Sequence, residues 1–338
     1  MFACTKYRYC TGQDVLPHGP VNGTLGGNVI FKTTINPTTL SAIAWTFGDP
    51  PVSIADFLSS EGPMTGVGFV GRISLDNSTA SLELRKLTLI DSGTYKVNIR
   101  KAGVIQVGHT SLIVYEPISG ANITTSPNPP IIEGSSVTLT CDAAGSIITR
   151  EWMKDGQLLS ASGNITISED KSMLSINSVK RTDTGEYRCR VSNPISTANA
   201  KHGLIINYGP DGVEINGPTE IVGQKLTLTC SADSNPPASY SWMLNGTEIP
   251  GHSPEFTKEK SEYSDSGDYI CTATNYVTGI KISVVHKLSV KGLPAGAIVR
   301  IVIRVLLVVG GAVGVAVHTS VFYITVVCRK CWLTFHID

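Results

Sequence analysis

Thr182-Asp-Thr-Gly-Glu-Tyr-Arg-Cys-Arg-Val-Ser-Asn193 contains the spacing Asp183-x-Gly185-x-Tyr187-x-Cys189. The same spacing occurs twice more. Asp91-Ser-Gly93-Thr-Tyr95 is followed by Val97 in the cysteine position, and Asp265-Ser-Gly267-Asp-Tyr269 is followed by Cys271. Self-similarity at intervals of about 80 to 90 residues means three copies of one structural unit. A chain of 338 residues has room for them.

Composition narrows the function classes. Basic and acidic residues number 27 each, so the formal net charge is zero. No basic cluster suits a nucleic-acid partner. The 33 glycines and 18 prolines are scattered, as suits many short strands joined by turns. The seven histidines stand singly, and no Ser/His/Asp or HExxH grouping occurs. The sequence therefore predicts a binding protein rather than an enzyme, with no cofactor and no metal. Gly66-Val-Gly-Phe-Val-Gly71 spells a dinucleotide fingerprint. That motif needs a strand before it and a helix after it, and this copy falls between strands. Five N-x-S/T sequons, at Asn22, Asn77, Asn122, Asn164 and Asn245, all precede the one long apolar segment. They predict an exported, glycosylated chain.

The repeated spacing resembles the entry into strand F of an immunoglobulin domain. There the Asp and Gly make the turn, the Tyr returns its hydroxyl to upstream backbone, and the Cys bridges to strand B. The resemblance implies an all-β fold of three tandem immunoglobulin-like sandwiches, over residues 13–115, 116–207 and 208–290. It pairs Cys141 with Cys189 and Cys230 with Cys271. Each bridge closes a loop of about 40 residues, worth about 4 kcal/mol in the chain-entropy picture, and implies an oxidising compartment. In the first domain Gly27-Asn-Val29-Ile-Phe31-Lys-Thr33 alternates as strand B, and Trp45 takes the core position of strand C. Arg72–Leu75 and Ser81–Leu84 read as strands D and E. The stretch between Trp45 and Arg72 leaves room for C′ and C″, so this domain is V-like. Thr33 and Val97 replace its two cysteines. Its core must hold by burial alone, and Thr33 must find a hydrogen-bond partner. Arg72 and Asp91 stand where variable-type domains form an ion pair across the bottom. Val137–Cys141 with Trp152, and Leu226–Cys230 with Trp242, mark strands B and C of two C2- or I-like domains. Short linkers at Tyr115-Glu-Pro117 and Tyr208-Gly-Pro210 predict a rod with the V-like domain at its tip.

A V-like tip domain without its disulfide, followed by bridged domains, is similar to the carcinoembryonic-antigen-related cell adhesion molecule (CEACAM) family. The wording agrees at Ser192-Asn-Pro-Ile195, at Tyr208-Gly-Pro-Asp211 and across Asn235-Pro-Pro-Ala-Ser-Tyr-Ser-Trp-Met-Leu-Asn-Gly-Thr247. Asn77-Ser-Thr79 matches a glycosylated turn of that family. The hepatocyte cell adhesion molecule group is the rival, set aside because it lacks the third domain. The resemblance implies adhesion through the GFCC′C″ face of the tip domain. Strand alternation then points Ala44, Thr46, Lys96, Asn98 and Arg100 outward. Asp49, Asp56 and Glu61 are candidate acidic counterparts. Asn22 and Asn77 are assigned to the opposite ABED sheet, which leaves the binding face free of sequons. The partners implied are the chain itself, related immunoglobulin-family surface proteins, and microbial ligands.

The ends complete the reading. Residues 1–12 lack the apolar run of a signal peptide and read as a leader remnant or incomplete signal. Residues 291–304 are a juxtamembrane linker. Val305–Val327 holds no charged residue and at 1.5 Å per residue spans about 34 Å, enough for a transmembrane helix. Residues 328–338 form a short tail without tyrosine, in which Cys328 and Cys331 are candidates for palmitoylation. The expectation is a single-pass type I plasma-membrane glycoprotein. The alternative is an immune-type receptor that signals through an adaptor chain paired with Arg300 and Arg304.

Overall fold

A computed structural model describes residues 15–292. The leader remnant, the segment 305–327, Cys328 and Cys331 lie outside the described residues. Among the described residues no helix is long and apolar enough to cross a membrane. The chain divides into two compact units that part between Tyr208 and Gly209. The first holds two β-sandwiches and the second holds one.

Nine strands build the first sandwich: β1 (Pro20–Thr24), β2 (Val29–Phe31), β3 (Ala42–Phe47), β4 (Val52–Leu58), β5 (Gly62–Thr65), β6 (Ile73–Leu75), β7 (Leu82–Leu84), β8 (Gly93–Lys101) and β9 (Val104–Tyr115). One sheet has the order β1-β9-β8-β3-β4-β5, and the other β2-β7-β6. These correspond to A′GFCC′C″ and BED. The edge strand β1 runs parallel to β9, with Pro20 beside Ser111 and Thr24 beside Tyr115. Gly23 permits this close approach: a Cβ there would lie 2.7 Å from Leu87 and 3.2 Å from Leu112.

The inward residues of both sheets make one core, which includes Phe31, Trp45, Leu82, Tyr95 and Val97. Trp45 donates its indole N–H to the carbonyl of Ala80 at 2.9 Å. Tyr95 donates its hydroxyl to the carbonyl of Asp91 at 2.8 Å. Thr33 and Val97 are the positions that lack cysteine. Thr33 is buried and donates its hydroxyl to the Thr79 carbonyl. The Phe31 ring fills the core beside them, with its centroid 5.6 Å from that of Trp45 and 4.5 Å from that of Tyr95. The aligned position is Leu139 in the second domain and Leu228 in the third. An aromatic ring thus supplies contact area where the other two domains have sulfur.

The second sandwich faces a four-stranded sheet containing Thr149–Lys154 and Gly185–Asn193 against one containing Val137–Ala144 and Met173–Ile176. Cys141 and Cys189 are bridged between them. The third, in the second unit, has the Cys230–Cys271 bridge between Leu226–Asn235 and Gly267–Thr274. The Tyr hydroxyl again meets the carbonyl four residues back, from Tyr187 to Asp183 at 2.9 Å and from Tyr269 to Asp265 at 3.0 Å. Burial pushes the Tyr269 hydroxyl up to about 12, with the Asp265 charge adding to it.

Gly66–Gly71 joins β5 to β6 with no helix after it. Gly66 is there for a steric reason: a Cβ would lie 2.1 Å from the Ser53 carbonyl oxygen. The dinucleotide reading has no structural context.

Candidate functional site: the outer face of the first domain

Register assigns the side chains to faces, because directly paired residues share one. Trp45 pairs with Val97, and Ile43 with Ile99; all four point inward. Their neighbours therefore point out. Reading from β9 across to β5, one outer row is Ile105, Arg100, Ala42, Leu58 and Gly62. The next is Val107, Asn98, Ala44, Asp56 and Met64. The third begins His109, Lys96, Thr46 and reaches Ser53 across a bulge in β3–β4. Ala44, Thr46, Lys96, Asn98 and Arg100 thus lie together on this face.

The first two rows form a shallow depression, whose lining includes Ala42, Ala44, Leu58, Met64, Asn98 and Ile105. Leu58, Met64, Ile105 and Val107 are exposed apolar side chains there. Arg100 and Asp56 border the same depression on opposite sides of β3. Among the described residues neither Arg100 nor Lys96 has an ion-pair partner. Asp56 accepts a hydrogen bond from the Ser53 hydroxyl. Asp49 and Glu61 are exposed in the turns that flank β4.

The sequon at Asn22 is not on the BED side. It lies on β1, beside Ile113 of β9, at the edge of the six-stranded sheet. Gly23 faces the core, so Asn22 and Ile113 face out. The expectation failed because the chain crosses to the other sheet before strand B, and alternation within a strand cannot say which sheet the strand joins. Asn22 is nevertheless remote from the depression. Ile113 is eight residues along β9 from Ile105, or roughly 26 Å at 3.3 Å per residue.

The other sequons differ in their surroundings. Asn77 is exposed in the turn between β6 and β7. That turn is fixed by Asp76, which accepts from the hydroxyls of Ser78 at 2.7 Å and Thr79 at 2.8 Å. Those bonds hold its carboxyl at about 2. Asn122 is exposed on Ser119–Ser126. Asn245 is exposed, but its amide nitrogen donates to the Ser266 carbonyl at 3.2 Å and its oxygen accepts from Asp268 N–H at 2.9 Å. The amide nitrogen of Asn164 is sealed from solvent and has no hydrogen-bond partner.

The ion pair between Arg72 and Asp91 closes the opposite end of the domain. Arg72 also donates to the carbonyls of Arg85 at 3.3 Å and Lys86 at 3.2 Å, and lies 5.9 Å from the Phe69 ring centroid. Burial pushes the Asp91 carboxyl up. Hydrogen bonds from Arg72 and from the Thr88 N–H and hydroxyl outweigh that and hold it below the usual range.

Comparison with known proteins agrees with the fold of three sandwiches. The profile of the immunoglobulin V-set domain matches residues 17–115, and immunoglobulin-domain profiles match residues 122–193 and 218–290. All three are immunoglobulin domains. HEPACAM family member 2 of Homo sapiens is 29% identical over 309 residues, covering 82% of this chain and 67% of the relative. The Mus musculus protein of that name is 32% identical over 220 residues, covering 59% of this chain and 47% of the relative. The chain therefore spans about half to two thirds of the length of these relatives. A match over 82% of the chain cannot fit within two domains, so domain count does not separate this chain from that group. Among solved structures, the complex of Dpr2 Ig1-Ig2 with DIP-Theta Ig1-Ig3 shares the fold, with a TM-score of 0.54 and 22% identity over 83% of this chain and 98% of that one. Murine CEACAM1b is 28% identical over 55% of this chain and 95% of its own, with a TM-score of 0.49.

Proposed function

We propose that this chain is a cell-surface recognition protein that binds immunoglobulin-type partners, itself or a relative, through the outer A′GFCC′C″ face of its first domain. The observation that carries the reading is the depression at the β8–β9 hairpin end, where exposed apolar side chains are rimmed by the charges of Arg100 and Asp56, neither of them in an ion pair among the described residues. An apolar centre with a polar rim is the anatomy of a protein interface, and contiguous exposed apolar surface marks interaction sites. The adhesion role resembles that of the CEACAM family, and the relatedness to HEPACAM family member 2 is compatible with it. Two disulfides in the second and third domains support passage through an oxidising compartment. The sequons and the apolar segment 305–327 support a single-pass type I location at the plasma membrane. Affinity through one such face is low, and many copies on a surface supply strength. The test is aggregation of suspended cells that express the full chain, compared with the double variant Lys96→Glu, Arg100→Glu at matched surface levels. Aggregation should weaken with salt and be lost in the variant. Unchanged aggregation and unchanged binding to other cells by a folded variant would sink the reading.

A further inference from the structure

The β8–β9 hairpin has an inner side as well as an outer one. Val97 and Ile99 point into the core, and their partners on β9 are Gly108 and Gln106. One step nearer the turn, Lys101 pairs with Val104. Alternation therefore puts Lys101, Val104 and Gln106 on the core-facing side of the hairpin. Inward positions ordinarily hold apolar residues, yet two of these three are polar. They line a cleft of about 430 Å³, together with Val15 and the stretch Thr34-Ile-Asn36 that follows β2. Val15 is buried and Ile35 packs on the core, so the floor is apolar. Lys101 is the one charged residue of the lining. Among the described residues Lys101 has no ion pair, and the side chains of Asn36 and Gln106 make no hydrogen bond.

The bridged domains satisfy this place from within. Lys101 stands four residues after Val97, as Asn193 stands four after Cys189 and Asn275 four after Cys271. The Asn193 amide donates to the carbonyls of Glu116 at 2.9 Å and Ser146 at 3.0 Å, which ties the incoming chain to a neighbouring loop. The Asn275 amide donates to the Ser234 hydroxyl at 3.0 Å and the Asn235 carbonyl at 3.2 Å. The first domain brings an ammonium group to the aligned position and meets it with no carboxylate among the described residues.

We propose that this cleft binds a terminal acidic sugar of the sialic acid class. The Lys101 ammonium takes the carboxylate. The amides of Asn36 and Gln106 both donate and accept, and so do the hydroxyl and N-acyl groups of such a sugar. Its N-acyl methyl group rests on Val15, Ile35 and Val104. A plain carboxylate would satisfy Lys101 alone; this ligand satisfies the amides and covers the floor as well. A few placed polar groups over an apolar floor, within about 300 to 1,000 Å³, is the usual make-up of a small-ligand site. The site lies on the other side of the hairpin from the outer-face depression and does not depend on the recognition reading above.

The test uses the full chain on cells treated with sialidase, so that their own sugars do not occupy the cleft. The probe is a polymer displaying sialyllactose, because many copies strengthen a weak single contact. Polymers displaying lactose, glucuronic acid and an aspartate-rich peptide are compared with it. Only the sialyllactose polymer should bind well. Lys101→Glu should weaken binding about tenfold or more, since it leaves the carboxylate facing a like charge. Lys101→Arg, which keeps the charge, should retain most of it. Gln106→Leu should lower binding with first-domain melting and surface level unchanged. Lys101→Gln replaces the glutamate variant if that one melts early. Full binding by the Lys101→Glu cells, or equal binding of the lactose polymer, would overturn the site. Equal binding of the glucuronic acid or peptide polymer would overturn the sialic acid assignment. Ganglioside vesicles and beads bearing a sialylated glycoprotein then show whether lipid or protein carries the sugar, and binding to neither would also overturn the proposal. Aggregation through the outer face is read by Lys96 and Arg100, so failure here leaves that reading standing.

Discussion

Arg72→Ala tests how the first domain manages without a disulfide. Asp91 has 4% of its side-chain surface exposed and Arg72 has 21%. In the variant the carboxylate keeps the Thr88 N–H at 2.7 Å and the Thr88 hydroxyl at 2.9 Å but loses its counter-charge. Removing one partner of a buried pair costs about 3 to 5 kcal/mol. The lower figure applies here, because Arg72 reaches solvent and Thr88 still solvates Asp91. For a domain of about 100 residues each kcal/mol is worth about 4 °C or more, so the first-domain transition should fall by about 12 °C. Scanning calorimetry of the whole chain reads that shift, and hydrogen exchange in peptides of residues 15–115 assigns it to the right domain. The effect has a defined sign with pH. The folded Asp91 carboxyl is held below its usual range, so its contribution is full above the unfolded value of about 3.9. It is lost as pH falls through the lower folded value. The gap between wild type and variant should be full at pH 7 and close below about pH 4. An unchanged transition at pH 7, or a gap that widens in acid, would refute the argument.

Two further outcomes follow from the core and the sequons. Phe31→Ala should cost about 3 to 5 kcal/mol, and Phe31→Leu, the residue used at the aligned positions 139 and 228, distinctly less; chemical denaturation followed by tryptophan fluorescence would rank the two. Asn164 should be recovered without glycan, since its amide nitrogen is buried; glycopeptide mapping that finds it fully occupied would show that the turn before Ile165–Ile167 opens to accept a sugar.

The parts of the fold that were legible in the sequence are those set by local chemistry. Asp-x-Gly-x-Tyr specifies a turn and a hydroxyl bond to the carbonyl four residues back, and all three copies make it. Alternation around Trp45 and Val97 ordered the outer residues of β3 and β8, because inward and outward positions are fixed by the pleat. Non-local pairing was not legible. Nothing in Pro20–Thr24 distinguishes a partner on β2 from one on β9; the choice depends on Gly23 fitting against Leu87 and Leu112, which are remote in the chain. The role of Phe31 was hidden for a related reason. An apolar residue at an inward strand position reads as ordinary core, and the missing sulfur beside it is visible only once Thr33 and Val97 are aligned with the bridged domains. That comparison of copies was available in the sequence and would have singled out Phe31 against two leucines.

The same comparison bears on why the binding face belongs to the first domain. In the second domain the corresponding sheet also points charges outward from its F strand, Arg188 and Arg190. Those charges are already matched within the sheet: Arg190 to Glu151 at 3.7 Å, and Arg188 and Lys201 to Glu186 at 3.0 and 3.3 Å. Such exposed pairs add little stability, but they leave few charges calling for an external partner, and the sheet reads as a solvated surface. In the first domain Lys96 and Arg100 occupy the equivalent strand without acidic neighbours in reach, and apolar side chains stand beside Arg100 where the second domain has its ion pairs. A partner that supplies carboxylates and apolar surface would gain from the first face what the second has satisfied internally. Moving one such pair into the first face makes the point testable. Val107→Glu places a carboxylate on β9 in the row beside Arg100, at the diagonal position from which cross-strand pairs interact. Aggregation should fall while the domain's melting temperature holds, because Arg100 would then be matched at home.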